Sequence, residues 1–248
     1  MTHWMNRSSI GRALLLAALL TPFLPGRGSA QEAPTTWSFG VSGEIVSQYV
    51  WRGLVLHDQP SIQPDVYVEH GSFSAGVWST WPLKGDVNEI DTYVSWFQEA
   101  TAGEFGLTLT DYYYPYLEGD AGSFTNFSGV VDGEATGGHT LEIGAEFSPT
   151  ALPLTFSAAW NAYNDPDHAL YGAVSSEVSV PMLFDLDGEV GFLLKDSPSY
   201  YGSNAGLMNF MVRATRSLSL GLIEPHASIA YTRNAFLKKN YWVFAVGF

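Results

Sequence analysis

From residue 37 to the C-terminus, large apolar and polar residues alternate with a period of two, the pattern of strands that bury one face in an apolar medium. The pattern is clearest at the end of the chain. Trp242, Phe244, Val246 and Phe248 share one phase, and the smaller Tyr241, Val243, Ala245 and Gly247 share the other. The spacing predicts twelve runs, at 37–51, 61–69, 73–81, 88–97, 104–114, 140–147, 152–162, 169–180, 184–195, 207–215, 218–231 and 238–248. In 88–97, Ile90, Val94 and Trp96 oppose Glu89, Asp91, Tyr93 and Ser95; in 140–147, Leu141, Ile143, Ala145 and Phe147 oppose Glu142 and Glu146. Two runs break phase. Asp111 falls on the apolar side between Leu109 and Tyr113, which calls for a bulge near Thr110 or a position above the apolar band. Pro225, with Leu220 and Leu222, is out of step with Ile229 and Tyr231.

An apolar terminal strand fits the last strand of a soluble sandwich or the closing strand of a membrane barrel, and the connections discriminate. Counting from the first run, odd-to-even connections are long, 115–138 longest and 196–206 next, whereas even-to-odd ones are brief, such as 70–72 and 149–151. Membrane barrels alternate short and long loops in this way and close with an even strand number. Aromatics near run ends (Trp37, Tyr49, Trp51, Trp81, Trp96, Tyr113, Trp160, Tyr231 and Trp242) are placed to form two interfacial girdles. The fold class expected is all-β, a transmembrane antiparallel barrel of about twelve strands with both termini periplasmic.

The start of the chain is consistent with export. Arg7 and Arg12 precede the apolar stretch 13–20, and Gly28-Ser29-Ala30 forms a small-residue cleavage site, so 1–30 reads as a signal peptide and 31–248 as the barrel. An N-terminal anchor helix is the other reading; the apolar stretch is short for it and is followed by Pro22. The leader holds three Arg and no acid, so the net charge of −14 becomes −17 without it. That charge repels phosphate and excludes nucleic acid as a partner. The chain has no cysteine, so no disulfide scaffold is available.

With the apolar faces toward lipid, the opposite faces line the lumen. That places Glu44, Asp65, Glu69, Glu89, Asp91, Glu142, Glu146, Glu177, Asp185, Asp187 and Glu189 inward against few bases, chiefly Arg52, Lys195 and Arg213. Inward Tyr67, Tyr93, Tyr112 and Tyr171 narrow the space and offer stacking surfaces. Such a lining either attracts cations along a narrow channel or pairs with the bases and plugs the lumen. The candidate pore-lining residues are therefore Arg52, Asp65, Glu69, Glu89, Asp91, Tyr93, Tyr112, Glu142, Glu146 and Arg213. Arg52 ends the first run before Gly53, either as an ion-pairing or constriction residue at the mouth or as a headgroup contact paired with Asp58. No catalytic residue, metal ligand set or cofactor is expected. His70-Gly71-Ser72 and His226-Ala227-Ser228 have the His-x-Ser spacing of an outer-membrane phospholipase, but no Asn partner is placed beside either. Calcium at Glu118, Asp120 and Asp132, or at Asp165 and Asp167, is a nonspecific option.

Two resemblances add to this. The apolar alternation ending in Phe248 resembles the C-terminal insertion signal of outer-membrane barrels, which implies recognition by the bacterial barrel-assembly machinery. Ser47-Gln48-Tyr49-Val50-Trp51-Arg52-Gly53, then Gln63, Gly76-Val77-Trp78-Ser79 and Tyr112-Tyr113-Tyr114-Pro115 resemble the pattern of Gcw_chp, a family of uncharacterised Gram-negative proteins. Gln48 stands where that pattern has Asp. The resemblance implies an outer-membrane barrel and no particular activity. The reading is a passive, narrow channel for small polar or cationic solutes, in contact with outer-membrane lipid. The alternatives are a plugged barrel acting through its loops and a lipid-acting enzyme.

Overall fold

A computed structural model of the protein describes residues 36–85, 88–181, 183–218, 220 and 224–248. The proposed leader lies outside them. Twelve antiparallel strands form one closed barrel. They are β1 (Ser38–Val46), β2 (Ser61–His70), β3 (Phe73–Pro82), β4 (Glu89–Ala100), β5 (Gly103–Tyr113) and β6 (His139–Pro149). β7 (Thr155–Tyr163), β8 (Leu170–Val180), β9 (Phe184–Leu193), β10 (Gly206–Ser217), β11 (His226–Asn234) and β12 (Lys239–Gly247) complete the ring. Each strand pairs with its sequence neighbour, and β12 returns to β1. That last seam is short. Only Glu44, Ile45 and Val46 pair with Gly247, Val246 and Ala245, whereas β1 pairs with β2 along its whole length. Reciprocal backbone bonds between Gly43 and Phe248, and the Gln48 side chain donating to the Trp242 carbonyl at 2.7 Å, extend the seam.

The exterior is apolar. Phe39, Val66, Leu107, Ile143, Phe210, Phe244 and Val246 stand outward and exposed, as period-two alternation requires. Both ends of the barrel's own chain lie at one rim, the terminal end; the odd-to-even connections lie at the other, the loop end. No helix among the described residues is long and apolar enough to cross a membrane, which says nothing against crossing by strands.

Four expectations change. The first strand stops at Val46 instead of Trp51, and residues beyond it form a separate two-stranded ribbon, Tyr49–Trp51 against Leu54–His57. Tyr49 and Trp51 are therefore buried in the interior and belong to no girdle, whereas Trp37, Trp81, Trp160 and Trp242 are outward and exposed. The eleventh strand begins at His226 and not at residue 218, so Pro225 lies in the preceding turn and the phase conflict disappears. Lys195 sits exposed in the 194–205 connection and donates to the Asp167 carbonyl, outside the lumen.

Asp111 keeps its outward phase without a bulge. It lies one turn of the pleat below the loop end, where the 114–138 segment folds down over the outer wall. His139 Nδ1 meets the Asp111 carboxylate at 2.9 Å, and His139 Nε2 meets the Phe124 carbonyl at 3.0 Å. The ring stacks between Tyr113 and Phe127, with centroids 4.6 and 3.9 Å away. The ion pair with His139 and the aromatic cover shield the Asp111 carboxylate on the otherwise apolar outer wall.

Candidate functional site: a hairpin across the lumen

The lumen is divided by the Tyr49–Trp51/Leu54–His57 ribbon, which turns inward from β1 and crosses the barrel. Its turn is Arg52-Gly53, with φ of 47° and 80°. Positive φ at both central residues matches the twist of the flanking strands, the geometry of a tight two-residue hairpin. Gly53 is obligatory for a second reason. A Cβ there would lie 2.7 Å from the Asn209 Cβ on β10. The Asn234 side chain on β11 holds the Gly53 carbonyl at 3.1 Å. The apolar side of the ribbon, Val50 and Val55, packs on Ala230, Val243 and Ala245. The small, uncharged inner face of β12 is thus the seat of the hairpin.

At the tip, Arg52 is 2% exposed. Its Nη1 and Nη2 reach the two Glu142 oxygens of β6 at 2.7 and 2.9 Å, and Nη1 also meets the Tyr201 hydroxyl. The Trp51 and Tyr171 rings lie 4.5 and 4.4 Å from the guanidinium carbon, so the cation has π-faces as well as a carboxylate. Burial alone would lower the Arg52 pKa; the Glu142 carboxylate more than offsets it and keeps the group charged. The Tyr112 hydroxyl donates to Glu142 Oε1 at 2.9 Å. Glu142 therefore accepts three hydrogen bonds, two on Oε1 and one on Oε2.

A second segment completes the closure. In 194–205, Tyr201 stacks on Trp51 with centroids 5.3 Å apart, and the Tyr200 and Tyr114 hydroxyls meet at 3.1 Å. Asp167, in the 164–169 connection, anchors the segment by accepting from the Ser199 amide at 2.6 Å and the Tyr200 amide at 3.1 Å. Partial burial pushes the Asp167 pKa up, but these amides and the Ser197 and Ser199 hydroxyls outweigh it and hold the group below the ordinary carboxylate range.

All ten candidate residues face the barrel interior, and the hairpin sorts them into two sets. Arg52, Tyr112 and Glu142 form the tip contact. Glu89 and Asp91 are buried on β4, Glu89 beside Tyr49, and one Asp91 oxygen has no hydrogen-bond partner. On the terminal side, the Tyr93 hydroxyl donates to Asp65 at 3.2 Å, Ser38 donates to Glu69 at 3.2 Å, and Arg213 Nε donates to Asp187 at 3.0 Å. Glu146 stands apart. It is half-buried, and its side chain makes no hydrogen bond or ion pair with another described residue, its charged neighbour being the Glu104 carboxylate.

Sequence reasoning missed Tyr201, Asn209 and Asn234, which hold the closure from a loop, a bulge and a strand end, and offered Asp167 only as a calcium ligand. The nearest signal was the tight pair Tyr200-Tyr201 in an otherwise polar loop. His226 and Ser228 share the inner face of β11, yet His226 Nε2 is spent on Glu44 and its Nδ1 has no hydrogen-bond partner, so no Ser–His relay is formed. Among the described residues, no group of three or more His, Cys, Asp or Glu is arranged to hold a metal ion.

Fold and site define a closed twelve-stranded antiparallel β-barrel with an internal hairpin plug. The chain belongs to the family described as bacterial protein of unknown function (Gcw_chp), whose model matches residues 29–246. No curated protein and no solved structure matches it. The Tyr-x-Trp-Arg-Gly run that carries the family resemblance is the hairpin itself.

Proposed function

We propose that the protein is a bacterial outer-membrane barrel whose lumen is a narrow, cation-preferring path for small polar solutes, shut at its extracellular mouth by the hairpin. Lipid accepts a sheet only when it has no open edge and an apolar exterior, and both conditions are met. In this reading the terminal end is periplasmic, the loop end extracellular, and Phe248 is the handle for the assembly machinery. The observation that carries the solute preference is the inner charge. Carboxylates dominate the lining, and both arginines that face the lumen are ion-paired, Arg52 to Glu142 and Arg213 to Asp187. The field left in the lumen is negative. The plug is held by side-chain contacts, so it can withdraw.

Planar-bilayer recording tests this. Wild type is expected to be mostly closed. Arg52→Ala, which frees the tip, is expected to raise the open fraction at least tenfold, with a reversal potential in a KCl gradient showing potassium preference. An absence of conductance steps from both proteins, or chloride preference, overturns the channel. The second reading, a closed barrel acting through its loops, is favoured by the 114–138 segment, which is clamped in a defined place on the outer wall.

A further inference from the structure

Beneath the hairpin tip lies a chamber in the wall formed by β5 to β8. Its cavity volume is about 40 Å³, room for a small polar group, and it opens to solvent on one side. Its ceiling is Arg52, Glu142 and Tyr171, all buried; toward the terminal end its lining passes to Thr108, Ser157 and Glu146, which are partly exposed. Gly144 and Ala159 leave this part of the wall without long side chains, and no atom lies closer than 3.7 Å to where a Gly144 Cβ would stand.

Two features set the chemistry. The ceiling is neutral, since Arg52 and Glu142 cancel and Glu142 accepts a third bond from Tyr112. Glu146 is then the one lining charge without an ion pair. Its position is built: a Cβ on Gly106 would stand 2.6 Å from Glu146 Cγ and 2.6 Å from the Phe97 ring, so the Glu146 stem lies flat across Gly106 beside Phe97. A hard divalent cation asks for six to eight oxygens and usually several carboxylates. One carboxylate with the hydroxyls of Thr108, Thr110 and Ser157 suits instead a group with three N–H donors.

We infer that this chamber is a binding site for a small primary ammonium ion, reached from the terminal end, with Glu146 as its counter-charge. The assignment rests on the reading of the lumen as a cation path, and names where along that path a solute pauses.

Equilibrium dialysis of radiolabelled ethylammonium against detergent-purified, full-length protein at low salt tests it. Saturable one-to-one binding is expected for wild type, at least tenfold weaker binding for Glu146→Gln, and none for tetraethylammonium, which has no N–H. A Cβ on Gly144 meets only Thr108, at 3.7 Å, so Gly144→Val adds bulk to the chamber without a backbone clash and is expected to abolish binding while the protein keeps its heat-modifiable gel band. Equal binding by wild type and Glu146→Gln, or equal binding of tetraethylammonium, overturns the site. Binding without conductance in Arg52→Ala would overturn the channel and leave the site standing; conductance without binding would do the reverse.

Discussion

On the loop side of the hairpin, the interior is built like a protein core. Trp51, Tyr112, Tyr171 and Tyr201 are buried against one another, and the Arg52 cation sits between aromatic faces and a bidentate carboxylate. On the terminal side, Tyr93, Asp65 and Arg213 are still buried, but Tyr67, Glu69, Glu146, Ser157, Ser175 and Asp185 are partly exposed. The strands are continuous through both halves, so the difference is not one of scaffold. It comes from two connections, 47–60 and 194–205, that place Tyr49, Val50, Trp51, Tyr200 and Tyr201 inside the barrel. A barrel of this size has room for more than its own side chains, and a loop can take up that room on one side while leaving the other wet.

The comparison can be broken at the tip. Arg52→Ala leaves Glu142 buried without its cation, and removing one partner of a buried pair costs about 3–5 kcal/mol. Urea unfolding should show that loss, and the double variant with Glu142→Ala should recover part of it. Gly53→Val acts at the same place through the backbone, since φ is 80° and Asn209 blocks a side chain. A cost of about 1–3 kcal/mol is expected, with a raised open fraction in bilayers and the barrel intact. Asp111→Ala should cost about 1–3 kcal/mol locally by stripping His139 of its partner. It should release the 114–138 segment to chymotrypsin at Phe124 and Phe127 while leaving conductance unchanged; a changed conductance would couple the outer clamp to the lumen.

The smallest effect is a pH dependence. Asp167 has a lowered pKa in the folded state, so its stabilisation is complete above the ordinary carboxylate pKa and fades as pH falls through the lowered value. Amide exchange at Ser199 and Tyr200 should therefore rise only at strongly acidic pH. Asp167→Asn should show the fast exchange at pH 7, and unchanged exchange in that variant would remove Asp167 from the closure.

How much of this was legible follows from what carries phase. Strands with one apolar and one polar face must alternate, so the inward and outward assignment of β2, β4, β6 and β12 could be read residue by residue. The end of β1 could not. Residues 47–51 continue the alternation and the aromatic bias of a strand, and Arg-Gly is not the usual Asn-Gly signal of a tight hairpin. The clue lay elsewhere, in the inner face of β12, whose Val243, Ala245 and Gly247 are too small and apolar for a lumen wall that faces only water. Asp111 was assigned to the right face; its cover came from a segment without periodicity. For the same reason the sequence did not place Tyr201, and it read Asp167 as a calcium option where it anchors the 194–205 segment.

The short β1–β12 seam also has a bearing on time. The hairpin leaves β1 at the seam, is tied to β12 by Gln48, and rests on Ala230, Val243 and Ala245. Its seat is made by the last two strands of the chain. A sheet still lacking them has no floor for the hairpin, so the first strand's extension can seat only once both strands are in place. Closing the cylinder and seating the hairpin draw on the same residues, so the two belong to one step of folding.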